Sequence, residues 1–331
     1  MQIAVQARKF LKRLVLGPVE FPQQCPVGLR DPQADVAVWL HGMGAVCDVT
    51  WNHLMACGAP FMIGIGVDDA RKQFTKENAR LSLQFRERDA DQRLLGEIAL
   101  QWASVVPVGN QQLALVQVKD YRNYCLPKAR LWARYLRYAR QRSRLPKSDV
   151  AIAGRDIHAM IVFYICPRPV ALVTIVHGTI GNIFPVNLMG AIGNEHFCFA
   201  LNSATPVADL VERVGEIAVS SIPMEQSSLA IEFGKHHRKT SIDLSQLPFA
   251  TKRSTALGLP VPEFALRVRE MKIESARKLG SHTMFVARTI LDERCKDGLE
   301  FFVEHGIYRV WQQSKTGCSE LTHCSSASSL N

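Results

Sequence analysis

Residues 167–201 read PRPVALVTIVHGTIGNIFPVNLMGAIGNEHFCFAL. Residues 170–176 are an apolar, β-branched run behind Pro167 and Pro169, which predicts a buried strand with a rigid entrance. Gly178 and Gly181 punctuate the turn that follows. A second extended segment comes next, and residues 197–201 predict another strand. The second segment sets Asn182, Phe184, Pro185 and Asn187 beside one another. That is a hydrogen-bonding and apolar rim, not an ordinary strand face.

Downstream, NSATPVADLVERVG carries helix chemistry. Thr205 suits the N-cap, and Pro206 falls at the first helical position, where its missing N–H costs nothing. Val207, Leu210, Val211 and Val214 form one apolar face, and Gly215 supplies the stop. A helix start presents free N–H groups and a partial positive charge, and the Ser203 and Thr205 hydroxyls add donors. These residues therefore suit a phosphate. An ordinary capped surface helix would use the same signals.

Upstream, residues 37–67, AVWLHGMGAVCDVTWNHLMACGAPFMIGIGV, parallel residues 172–201. Both give a strand, a His-Gly turn, a segment ending Leu-Met, a glycine-bearing turn and an apolar strand. Residues 98–121 parallel 264–293 in the same way. Repeats of this size predict duplication of a whole domain, not a solenoid. Between the blocks lies PKARLWARYLRYARQRSRLPK, 127–147, with no acidic residue. Leu131, Tyr135 and Tyr138, with Trp132 and Leu136, give it helical spacing. It reads as a solvated connecting helix whose aromatics pack on a barrel.

The 331 residues are 47% hydrophobic and 21% charged, a folding composition long enough for two domains. No apolar run reaches the length of a membrane span. The basic N-terminus, MQIAVQARKFLKRLVLG, lacks a signal-peptide core and reads as the start of the folded chain. Nine cysteines form no CxxC pair, which suits reduced thiols in a cytoplasm. The net charge of +10 suits binders of small anions as well as nucleic acid, and no RNP1-like signature favours the latter. No G-x-S-x-G follows the His-Gly turn of 36–45, which speaks against an α/β-hydrolase. Gly64-Ile65-Gly66 lacks the third glycine of a dinucleotide fold, and Gly234-Lys235 lacks the upstream glycine of a P-loop. The basic stretch 234–241, GKHHRKTS, reads either as a solvated loop or as a cover for a cofactor's phosphates.

Arg168-Pro169-Val170-Ala171, then Asn182-Ile183-Phe184-Pro185-Val186-Asn187, then Asn202-Ser203-Ala204-Thr205 resemble the flavin reductase-like, FMN-binding split-barrel family. Gly280-Ser281-His282 before a strand, and a late Tyr-containing strand at 306–309, extend the resemblance over residues 160–312. The chain departs from the family in having Ser203 where a lysine is common, Asn187 for a serine, and Asn194-Glu195-His196 for a double proline.

The resemblance implies a mainly β fold, a split barrel with peripheral helices, in two tandem barrel-like domains. The expected division is 1–126 as a degenerate N-terminal copy, 127–150 as a basic helical linker, 151–312 as the flavin-binding domain and 313–331 as a disordered tail. It implies that Asn182, Phe184, Pro185, Asn187 and Leu188 line the isoalloxazine and ribityl chain, and that Ser203 and Thr205 take the phosphate. His282 would stand near the ring, where nicotinamide approaches, and Arg168 would hold a phosphate or pair with a carboxylate. The expected cofactor is FMN, with FAD as the alternative, and NAD(P)H is the co-substrate. The expected partners are flavin and nicotinamide nucleotides and a flavin-dependent enzyme, with no membrane and no nucleic acid, in a pseudo-dimer within one chain or a homodimer. Three function classes stay open: an NAD(P)H-dependent flavin reductase, a non-catalytic FMN carrier, and an interaction protein that has lost flavin.

Overall fold

The computed structural model describes residues 24–68, 80–89, 91–142, 150–178 and 180–316. The expectations for the first 23 residues and for the tail beyond 316 lie outside the described residues.

In the N-terminal half the strands are β1 Gln24–Leu29, β2 Val36–His41, β3 Cys47–Asp48, β4 His53–Cys57, β5 Met62–Asp68, β6 Leu81–Glu87, β7 Leu94–Val108 and β8 Gln111–Asn123. Helices α1 Lys128–Arg142 and α2 Gly154–Phe163 follow. The C-terminal half contains β9 Arg168–Pro169, β10 Ala171–His177, β11 Ile180–Val186, β12 Met189–Ile192, β13 His196–Asn202, α3 Pro206–Val214 and β14 Glu216–Ser221. It continues with α4 Ser227–Phe233, β15 Thr251–Arg253, β16 Pro260–Pro262, β17 Arg267–Leu279, β18 His282–Arg294, β19 Glu300–His305 and α5 Gly306–Thr316.

Two seven-stranded antiparallel sheets dominate, in the orders β3-β2-β6-β7-β8-β5-β4 and β11-β10-β14-β17-β18-β13-β12. In each, the two edge strands are consecutive in sequence. Only Asn187 and Leu188 separate β11 from β12. Laid flat, seven strands would hold their edges about 29 Å apart. The chain from Val186 to Met189 spans at most about 11 Å. The sheet must therefore roll on itself, leaving a barrel split between its edges. The fold is mainly β with peripheral helices, as the sequence predicts.

The C-terminal barrel is filled by Val173, Ile175, Phe184, Phe199 and Phe285, against which α3 lays Val207, Leu210 and Val211. Each such burial stabilises the fold by about 1.5–3 kcal/mol. The helix starts and stops where expected, at Thr205-Pro206 and at Gly215 with φ +73°. The Thr205 hydroxyl makes no capping bond, however; it turns back to donate to the Asn202 carbonyl. A third sheet, β1-β19-β9, pairs the first described strand with the C-terminal half. The division at residue 126 is thus crossed by backbone hydrogen bonds.

Helix α1 packs through buried Leu131 and Tyr135, while Leu136 and Trp132 lie exposed, Trp132 contrary to the expectation that the helix's aromatics pack on a barrel. The late strand expected at 306–309 is instead the first turn of α5. His305 Nδ1 accepts the Ile307 N–H, and Ile307, Val310 and Trp311 are buried at helical spacing. The helix also carries residues 313–316, expected to be disordered, and Lys315 reaches Glu87 and Asp89.

Candidate functional site

Asn187 and Leu188 are the two residues that bridge the split. Asn187 is buried, and its Nδ2 donates to the Tyr164 hydroxyl at 3.2 Å. Tyr164 stands at the end of α2, and burial pushes its phenol up to about 12. Helix α2 is set against the N-terminal half. Its His158 bonds the Tyr121 hydroxyl at 2.8 Å and stacks on Tyr135 of α1.

Strand register carries the site across the barrel end. The Leu188 carbonyl accepts the Ala200 N–H, and Asn202 faces His282. Ser203 Oγ lies 3.0 Å from Thr283 Oγ1, and its N–H donates to the Ser281 carbonyl. Asn187, Ser203, Thr205 and His282 therefore share one end of the barrel.

His282 meets the other half of the chain. The Gly58 N–H donates to its Nδ1 at 3.3 Å, and Ser281 Oγ is 2.8 Å from the same nitrogen. A Cβ at Gly58 would stand 3.1 Å from His282 Cε1 and 3.6 Å from Met160 Cε. Burial pushes the imidazole down to about 4, so it is neutral near pH 7. With Nδ1 accepting the Gly58 N–H, the proton sits on Nε2. That nitrogen makes no hydrogen bond to the described residues.

The remaining expected residues lie elsewhere. Asn182, Phe184 and Pro185 belong to the edge strand β11, which residues 234–239 cover. Asn182 is fully buried and donates through Nδ2 to the His236 and Lys239 carbonyls, while its Oδ1 has no partner among the described residues. His236 Nδ1 meets the Ile183 carbonyl at 2.8 Å, and His237 Nε2 meets that of Pro185 at 2.7 Å. Residues 234–238 form a 3-10 helix closing a sheet edge, not a solvated loop. Arg168 is wholly buried. Its Nη2 donates to the carbonyls of His53 (2.9 Å) and Met189 (2.6 Å), and Nη1 lies 3.2 Å from His53 Nε2.

Sequence reasoning missed Tyr164, Met160 and the turn at Cys57–Pro60. The helical spacing of Ile157, Met160, Ile161 and Tyr164 was a usable signal for α2. Nothing local marks Gly58 as a neighbour of His282.

The barrel end presents several polar groups. They offer a neutral ring donor on His282, an amide on Asn187, and the start of α3 with the Ser203 hydroxyl beside it. Among the described residues no cluster of metal-ligating side chains occurs, and no helix is long and apolar enough to cross a membrane.

Residues 163–299 match a family model described as the flavin reductase like domain. No curated protein matches the chain. Among solved structures, the Streptomyces globisporus C-1027 NADH:FAD oxidoreductase is 19% identical over 49% of this chain and 95% of its own, with a TM-score of 0.41. The FMN-binding protein of Thermus thermophilus is 19% identical over 49% and 95%, with a TM-score of 0.39. The styrene monooxygenase flavin reductase of Pseudomonas putida S12 is 18% identical over 45% and 93%, with a TM-score of 0.37.

Proposed function

Residues 163–299 form a flavin reductase like domain, and on that premise we propose that the chain is an NAD(P)H-dependent flavin oxidoreductase with FMN as its flavin. What supports this reading is the end of the C-terminal barrel, where strand register sets Asn187, Ser203, Thr205 and neutral His282. Bound flavin would supply the redox chemistry, accepting two electrons from a nicotinamide dinucleotide and yielding them to an acceptor. The chain would bind and orient. His282 Nε2–H would donate to an electron-rich atom of the ring, and Asn187 would hold the ribityl side. Ser203 and the start of α3 would take the phosphate. A flavin-dependent partner enzyme and a cytoplasmic setting belong to the same proposal, in keeping with seven free cysteines among the described residues.

The test is direct. Purified protein titrated with FMN and with FAD should develop a perturbed visible flavin spectrum, and should then oxidise NADH or NADPH. Thr205→Glu should weaken flavin binding by at least about tenfold, a loss of 1.4 kcal/mol, through repulsion with the phosphate. Unchanged affinity would remove the α3 start from the site. A second reading, a barrel that no longer holds flavin, draws support from the Thr205 and Ser203 hydroxyls, which already bond within the protein. Failure to bind either flavin would favour it. Binding without nicotinamide oxidation would favour an electron carrier.

A further inference from the structure

The two halves pair their strands in one register. Adding 171 to every residue number of the β7–β8 ladder gives the β17–β18 ladder. Gly96↔Asn123 becomes Arg267↔Arg294, Ala99↔Asp120 becomes Glu270↔Leu291, and Val108↔Gln111 becomes Leu279↔His282. Both bulges recur at that offset: Leu100↔Val118 becomes Met271↔Thr289, and Ser104↔Leu115 becomes Ser275↔Val286. The hairpins turn at Gly109 and Gly280, with φ +54° and +55°. Strand β5 against β8 maps onto β13 against β18 equally well: Asp68↔Gln111 becomes Asn202↔His282. Simple hairpins share alternation, but shared bulges at shared positions are specific features of one ancestor.

The halves also dock reciprocally. The Gly280–His282 tip packs on Gly58, Ala59 and Pro60, while the Gly109–Gln111 tip packs on Gly193 and His196. The cluster between them pairs like with like: Val108 with Leu279, Leu113 with Met284, and Leu115 with Val286. Arg168 donates to the carbonyls of His53 and Met189, which face Ile65 and Phe199, equivalent positions in the two halves.

We propose that this chain is a covalently fused pseudo-dimer of two split-barrel protomers, in which only the C-terminal protomer keeps a ligand site and the Cys57–Pro60 turn of the N-terminal one completes it. The ligand part rests on the flavin reading above; the docking part does not. The mirror position has lost its chemistry. Gln111 stands for His282, Asp68 for Asn202 at the anion-binding end, and Cys47-Asp48 for Phe184-Pro185. Continuing that alignment two residues back puts Ala45 at the place of Asn182.

Two measurements on the full chain test this separately. Cys57 Sγ lies 3.5 Å from Ser281 Oγ, so oxidised Ser281→Cys should form a disulfide joining Cys57 to the new thiol within one chain. Peptide mapping of the monomer band on a non-reducing gel should find it. The same crosslink in a two-chain band, or its absence, would overturn the fused arrangement. Flavin titration should saturate at one flavin per chain, and Gly58→Val should weaken binding by at least about tenfold while Gly154→Ala does not. Two flavins per chain, or unchanged affinity in Gly58→Val, would overturn the single composite site. No flavin bound by the wild-type chain would overturn the flavin reading and with it the site, leaving the crosslink to decide the docking.

Discussion

Arg168 is a guanidinium without a carboxylate among its hydrogen-bond partners, held in the interior by two peptide carbonyls and a histidine. Burial lowers its pKa, and its charge adds to burial in holding His53 down to about 3. The arrangement is tolerable because the Nη2 donors are matched to backbone oxygens that would otherwise be orphaned, although Nε has no partner among the described residues. Arg168→Met keeps the stem and removes those donors. It should destabilise the protein by about 2–6 kcal/mol, roughly 1–3 for each of the two carbonyls left unpaired. Urea unfolding measures this; a loss under about 1 kcal/mol would mean that water reaches the carbonyls.

Among the elements, α2 helps to join the halves, lying on the β7–β8 hairpin and reaching Asn187 through Tyr164. It fits on the hairpin because Gly96 leaves room for it. A Cβ there would stand 2.6 Å from Val162 Cγ1 and 2.8 Å from Ile165 Cδ1. Gly96→Ala should therefore cost about 1–3 kcal/mol through overpacking. It should also loosen Tyr164 and the Asn187 amide that bonds it, so flavin affinity should fall together with melting temperature. A fall in melting temperature alone would separate α2 packing from the site. The α3 helix was legible in the sequence, since cap, N1 proline, apolar face and αL glycine all lie within eleven residues, 205–215. The α5 helix was not. Ile307, Tyr308 and Arg309 alternate like a strand, and only the His305 cap and the burial of Trp311 reveal the helical period.

At the scale of the molecule, three desolvated histidines, buried His53 and His282 and half-buried His305, make the fold acid-sensitive. Burial holds His53 and His305 at about 3 and His282 at about 4, against about 6.5 in an unfolded chain. Because their folded pKa values are depressed, the unfolded state binds more protons between pH 6.5 and 4. Stability is thus full above 6.5 and falls as pH drops through that window. Near pH 5 three such groups give a slope of about 4 kcal/mol per pH unit, reduced by Asp35, Glu87 and Glu300, which burial shifts upward. Urea unfolding at pH 7, 6 and 5 should show it; a flat profile would mean that these imidazoles are hydrated.

The barrels themselves were legible from residues 170–201, where β-branched runs, glycines and Pro185 mark strands and turns by local chemistry. The site was legible only in part. His282 could be picked out, but its partner Gly58 lies more than two hundred residues away and carries no side chain to signal its role. Spacing also set Asn182 beside Asn187, although the strand that joins them sends one under residues 234–239 and the other to the split.

The guanidinium between His53 and Met189 has one more implication. A side chain that touches equivalent atoms on both sides of a symmetry axis has room to exist once. Two identical chains meeting at such an axis would have to place it twice in the same volume. Joining the copies end to end lifts that restriction, so the seam can use a single buried cation that no homodimer of either half could hold.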